Sequence, residues 1–558
     1  EAVTELANAR CATVLICAFD AERLAAQIRH LLPKGAEVAS FDAFRLPKEM
    51  LTNARDYLDP LNFVTNFGIL KETADHHTRI MSVNYWGTYG AKDAAMWFAL
   101  FDEAGRPLAE WIDAMPAAGA AFTVDSADVR KRFGLGDFTG SLFMHAIRVA
   151  GHDIMKYVVD TYGNTGGDGA ANGAAHLSGT HDANPWPADF YAGLPAPEDG
   201  ETVKLWIQNS HPVAIPAGEV SLNIMGSQEA FRLQAEVPAF GCHAIDVGRM
   251  MPGVKWPEQI EIRAGRYFVR PRYEVRAPSG RIRFGHVNVE RTDLTPNPDL
   301  PKLADRLGKG YILPLPVLPV ADWRATFLPT PMTTTTRELP VALAVYDADG
   351  SEVARKFLGR LPRRSSVPLD VDALLAEAGR KLHSGAGHAE LMYDFRDGGE
   401  GDGWLHALAR FEARKGGHVA ETTFGAHIYN TALVYRDEPQ SYTTRPPGLT
   451  TRLFVRLGPA GLDALCQLIY PASTPWHARS ATKLTVFSAA GKELTSRDVE
   501  IPCGGSLFWR LSGLFDAATC KAAAGGYVVV RDATCRLFGY HGLARPDGAF
   551  SLDHCFGF

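Results

Sequence analysis

The sequence is poor in cysteine, with 8 in a chain of 558 residues. They stand at Cys11, Cys17, Cys242, Cys466, Cys503, Cys520, Cys535 and Cys555. No two of them have the short C-x-x-C spacing of a zinc or redox motif. Cysteines this sparse read as small core hydrophobes in a reducing compartment, which favours a cytoplasmic address. The chain opens on Glu1 rather than Met, so a removed leader and a secreted or periplasmic protein stay open, as do one or two disulfides in the C-terminal cluster.

Runs of positive charge are missing too. The formal net charge is −6 and no Lys/Arg stripe appears, which excludes nucleic acid and anionic membranes as partners, because both demand concentrated positive charge. The best candidate for a membrane span, Ala12 to Phe19, is followed at once by Asp20, Glu22 and Arg23. It falls far short of the roughly 18–20 residues that a transmembrane helix needs. Catalytic signatures are equally scarce. The glycine-rich run Tyr162–Gly173 lacks the Gly-Lys-Ser/Thr ending of a phosphate loop. Ser178 and Ser210 have histidines nearby but no G-x-S-x-G elbow. Asp75-His76-His77 reads as an exposed turn, and Asp553-His554-Cys555 carries no motif. These residues fit an enzyme and a non-catalytic protein equally.

What is present is repetition. A proline is followed eight or nine residues later by an acid that opens a new segment: Pro33 to Asp42, Pro116 to Asp125, Pro238 to Asp246 and Pro362 to Asp370. The spacing returns as Pro502 to Arg510, with the charge reversed. Upstream of several copies lies an alternating run broken by a D-x-x-G turn, as in Asp102 to Gly105 and Asp347 to Gly350, where glycine supplies the positive φ of a tight reversal. The flanking runs alternate with period two and are rich in Val, Ile, Phe and Tyr, the pattern of half-buried strands. Helical periodicity is confined to short stretches such as Asp372–Leu382 and Lys48–Tyr57. The expected fold is therefore all-β, a tandem array of about five β-sandwich repeats of immunoglobulin or fibronectin type with few short helices. The copies would span 1–90 (irregular, capping), 91–195, 196–300, 301–440 with a helical insertion, and 441–558 with a C-terminal extension. End capping is the expected fate of the irregular termini; closure into a ring by a C-terminal strand completing the first copy is the sharper alternative.

Histidine recurs at the end of the closing strand: His286, His427 and His541 in three copies, with His176 in the corresponding place of another. Neutral imidazole is a ligand for Fe and Zn, so His176, His286, His427 and His541 form a candidate metal set if the repeats surround an axis. Acids such as Glu290, Asp293 or Asp182 would then orient the rings. In an extended array the same histidines would merely finish strands. A second candidate is the loop holding His181, Asp182, Asn184 and Trp186, whose polar groups and indole suit a polar ligand or sugar. The expected function is a binding or scaffold protein that offers grooves between repeats to a small molecule, carbohydrate or protein partner. The alternative is a non-haem iron or zinc enzyme whose histidine-rich site is assembled between repeats.

Overall fold

The computed structural model describes residues 3–163, 177–181, 190–263, 269–290, 292, 294–296, 298, 301, 312–331, 335–427, 429–435, 438–441, 451–471 and 477–555. The chain is built from strands, with few and short helices. The strands fall into four groups. In the first, one eight-stranded sheet runs in the order Leu177–His181, Val158–Tyr162, His77–Val83, Val64–Glu72, Phe138–Ile147, Ala95–Asp102 and Pro107–Ala114, with Ala121–Asp125 paired to His77–Val83. It encloses Leu70, Ile80, Phe98, Leu142 and Met144. The boundary expected at residue 90 lies within this sheet, because strands from both sides of it pair directly.

Each later group has two sheets over a shared apolar core. Five-stranded and four-stranded sheets in 190–289 bury Tyr191, Leu205, Leu222, Ile260 and Tyr273. Two four-stranded sheets in 312–427 bury Leu313, Phe327, Leu343, Leu391 and Phe411. Two more in 451–554 bury Val455, Leu468, Leu484 and Val528. The strand Thr202–Gln208 shows how alternation works here: Thr202 and Lys204 are exposed while Val203 and Leu205 face the core. Beyond Leu205 both faces are buried, because the first group covers the outer one. Gln208 Nε2 donates to the Gly68 carbonyl at 2.9 Å and to Ser141 Oγ at 3.0 Å.

The proline-to-acid column has a physical basis. Asp125, Asp246 and Asp370 are N-caps, each accepting from a backbone N–H of the helix that follows: Ala127 at 3.1 Å, Arg249 at 3.0 Å and Ala373 at 2.8 Å. The helices are Ser126–Phe133, Val247–Met250 and Val371–Glu377. Capping is what Asp does best at that position. Arg510 precedes the helix Leu511–Leu514 and makes no such bond. Its guanidinium lies 5.2 Å from the ring centre of Trp323 in the third group, so the exception exchanges a cap for a contact between groups.

The prolines mark docking loops. Gly105, Gly350 and Gly491, at φ of +77°, +89° and +76°, close hairpin turns by donating to the carbonyls of Asp102, Asp347 and Ser488 at 3.0, 2.9 and 2.9 Å. The residue just inside each turn then accepts from the proline loop of another group. Glu103 O takes Cys242 N at 3.2 Å, Ala348 O takes Ser506 N at 3.0 Å, and Ala489 O takes Ala121 N at 2.8 Å. Gly226, in the turn of the second group, seats against Arg363 and Arg364 of the third. The contacts thus run from first to second, second to third, third to fourth and fourth to first. A head-to-tail series that returns to its start is a closed ring.

Among the described residues, no C-terminal strand pairs with the first group to make the closure. Asp553–His554 pairs with Phe538–Ala544 of its own sheet, His541 opposite Asp553 and Tyr540 opposite His554. Nor do residues 3–63 hold the antiparallel hairpins expected of a first copy. Thr13–Ile16 pairs in parallel with Glu37–Ser40 across the helix Glu22–Ile28, the crossover that parallel strands require. Asp42, first in the column, accepts from the amides of Asp20 and Ala21 at 2.8 and 3.0 Å and so ties the start of that helix to the following turn.

Candidate functional site

The closing strands Leu177–His181, Ile282–His286 and Val419–His427 meet one another and the terminal pair Asp553–His554 where the groups converge. His286 is 2% exposed. Its Nδ1 lies 2.8 Å from the Val287 carbonyl, a bond only an N–H can make, so Nε2 carries the lone pair of the neutral ring. That Nε2 lies 3.5 Å from Asp553 Oδ2. The other carboxylate oxygen of Asp553 accepts from Thr422 Oγ1 at 2.5 Å and from the His554 amide at 2.8 Å. His554 rests on Phe424, ring centres 4.6 Å apart, and stands edge-on to His286 at 5.6 Å.

His286, Asp553 and His554 each offer a donor atom, and these atoms all lie within 4.8 Å of one another. Donors bound at about 2.1 Å around a tetrahedral or octahedral ion would sit roughly 3–3.5 Å apart. The His286–Asp553 edge already has that length, and His554 offers its donor within 4.8 Å of both. Two imidazoles and one carboxylate suit zinc or non-haem iron, and a histidine whose second nitrogen is tied to a carbonyl is the usual posture of a ligand. Thr423 reinforces the posture by donating to the His286 carbonyl at 3.0 Å.

His406, on the strand Trp404–Ala413 of the third group, adjoins this cluster. Burial, and secondarily the neighbouring His286, push its pKa down to about 3. Neither ring nitrogen has a hydrogen-bond partner among the described residues. Gly193 lies against it, since a β carbon there would stand 3.2 Å from His406 Cε1.

Of the four histidines expected to converge, His286 is in the cluster. His541 is buried one strand away, opposite Asp553 in register. His427 ends its strand opposite Trp404, and its side chain lies outside the described residues. His176, Asp182, Asn184 and Trp186 also lie outside them. His181 ends the strand that pairs with Val158–Tyr162, and its side chain is likewise outside. Sequence reasoning missed Asp553, His554 and His406. The adjacency of two ligand types in Asp553-His554 was the available signal.

A groove of about 410 Å³ separates the second and third groups. Its floor is a network of charges. Arg283 holds Glu201 at 2.5 and 3.0 Å and Glu421 at 2.8 Å, while Arg410 holds Glu198 at 2.6 and 3.1 Å. Burial works against the Glu201 carboxylate, but its bonds and charge contact with Arg283 outweigh that and keep its pKa below the usual range. Trp256 lines the groove, with the Arg410 guanidinium 5.0 Å from its ring centre.

No helix among the described residues is long and apolar enough to cross a membrane. No family model matches the chain, and no curated protein matches it. Among solved structures it overlaps the BSP domain of a biofilm-associated protein at 7% identity, over 89% of this chain and 95% of that one, with a TM-score of 0.13. It overlaps a putative beta-galactosidase from Bacteroides fragilis at 12% identity, over 47% and 35%, with a TM-score of 0.11. With dimeric latent PorU from Porphyromonas gingivalis the figures are 10%, 83% and 40%, with a TM-score of 0.15. Superpositions this loose assign no shared architecture. The chain stands on its own geometry as a β-rich protein of several small sheets.

Proposed function

We propose that this protein is a ring-shaped binding scaffold of four β-sandwich units, pinned where the units converge by a metal ion on His286, Asp553 and His554. The observation that carries the reading is the circle of turn-to-loop contacts, which returns from Ala489 to Ala121. A closed ring fixes the grooves between units, and a fixed groove binds without the entropic cost of ordering it. The groove beneath Trp256 offers an aromatic face beside arginines and carboxylates, a surface suited to a polar small molecule or sugar.

The metal would have zinc or iron chemistry and a structural role. His286 and Asp553 are buried, and the described cavities are lined by other residues. A catalytic role is favoured by one observation, the two-histidine, one-carboxylate donor set.

Solution scattering tests the ring. A compact particle with a radius of gyration near ~25 Å is expected for this length, and a rod-like profile would overturn the reading. Metal analysis of protein purified without chelator tests the pin. Stoichiometric zinc or iron, lost in His554→Ala, is expected; metal-free wild-type protein would refute it.

A further inference from the structure

The junction between the second and third groups differs from the other three. There the turn at Gly226 meets arginines, and beside it opens a cavity of about 690 Å³. Its walls include Glu261, Arg263, Arg337, Arg363 and Arg364, with Phe190 on one side. Glu261 is fully buried and its oxygens are committed: it accepts from Asn223 Nδ2 at 2.5 Å, from the Gly226 amide at 3.2 Å, from Arg263 at 3.3 Å, and from Arg363. Arg363 also reaches Glu290, a carboxyl that is 3% exposed and whose Oε2 has no hydrogen-bond partner among the described residues.

Four guanidinium groups therefore face two carboxyls. Arg337 and Arg364 are exposed and have no ion-pair partner among the described residues. Positive charge gathered in a concave wall is costly unless a ligand answers it. Arginine is also the side chain whose planar fork matches an oxyanion in bidentate fashion. The volume lies within the 300–1,000 Å³ typical of small-molecule sites, and the Phe190 ring, 5.3 Å from the Arg263 guanidinium, supplies an apolar wall.

We propose that this cavity binds a small oxyanionic ligand, one bearing a phosphate or carboxylate group, held by Arg337 and Arg364 with Arg263 and Arg363 behind them. The inference rests on the scaffold reading, because the cavity exists only where two units are held together. Calorimetric titration with inorganic phosphate, and separately with malonate, at constant ionic strength is the test, with chloride as the control anion. Saturable binding of at least one of the two is expected, weakened about tenfold or more in Arg337→Gln/Arg364→Gln. Equal affinity in the variant, or no saturable heat with either anion, would overturn the site. A variant that failed to fold would show it in circular dichroism. Arg364→Lys then serves as the second variant: it keeps the charge, loses the fork and should bind several-fold more weakly, and unchanged affinity counts against the proposal. Scattering of the same wild-type sample separates the outcomes, since a compact ring without anion binding removes this site and leaves the scaffold standing.

Discussion

The hydroxyl of Tyr527 donates to the carbonyl of Gly119 at 2.7 Å, joining the last group of strands to the proline loop of the first. Next to that bond, Gly491 sits so close to the loop that a β carbon would stand 2.6 Å from the Gly119 carbonyl carbon. Gly105 repeats the arrangement at another junction, where the added atom would come within 1.9 Å of the Ala239 oxygen. Ring closure depends on bare backbone meeting bare backbone.

Gly105→Ala should therefore cost more than its conformation alone explains. Gly218 is the control, with a φ of +87° and open space where the β carbon would go. An L-residue in the left-handed region costs about 1–2 kcal/mol, and Gly218→Ala should show only that. Gly105→Ala should lose at least about 3 kcal/mol, because backbone must also move. Urea denaturation of the two variants decides it, and equal losses would mean that the junction is not tight.

The pair Arg456–Asp160 joins the fourth group to the first. Arg456 Nε lies 3.2 Å from Asp160 Oδ2, a second guanidinium nitrogen contacts Oδ1, and both residues are buried. Breaking a buried pair from one side leaves an uncompensated charge and costs about 3–5 kcal/mol. Arg456→Met should fall in that range. Arg456→Met with Asp160→Leu should recover much of the loss, and a double-mutant cycle measures the coupling. Purely additive losses would show that the pair does not hold the junction.

How far the sequence could be read follows from these particulars. The proline-to-acid column was legible because helix capping and loop docking make the same chemical demands in every group. Its Pro33–Asp42 member misled, because Asp42 serves a local turn beside a seven-residue helix too short to show a period. The recurrence of histidine at strand ends was legible, and one of the four, His286, lies beside Asp553 and His554. Its partners Asp553 and His554 were not, since only folding brings the chain terminus beside a strand of the second group. His406 was invisible for another reason, as nothing in its alternating strand marks which face lies against Gly193.

Helix capping gives a smaller, cleaner prediction. Asp370→Ala removes the 2.8 Å bond from the Ala373 amide and should cost about 1 kcal/mol, with Asp370→Asn nearly neutral. Thermal denaturation of the two variants side by side checks this. If alanine and asparagine are indistinguishable, the side chain does not cap.

Two buried groups set opposing pH dependences. Burial, and next the neighbouring Glu261, push the Glu290 carboxyl up to about 7 against the pull of Arg363 and Arg263. The folded state then holds a proton that the unfolded chain releases from about pH 4.5, so this contribution to stability is full below that pH and is lost as pH rises to about 7. His145 works the other way. Stacked against Phe143 and edge-on to Trp97, it is pushed down to about 4 by burial. Its contribution is full above about pH 6.5 and is lost as pH falls through 4. Glu290→Gln should flatten the decline between pH 4.5 and 7, and His145→Gln should flatten the decline on the acid side. Urea midpoints measured across pH 4 to 8 for the wild type and both variants separate the two. An unchanged profile in Glu290→Gln would show that the carboxyl ionises freely beside Arg363.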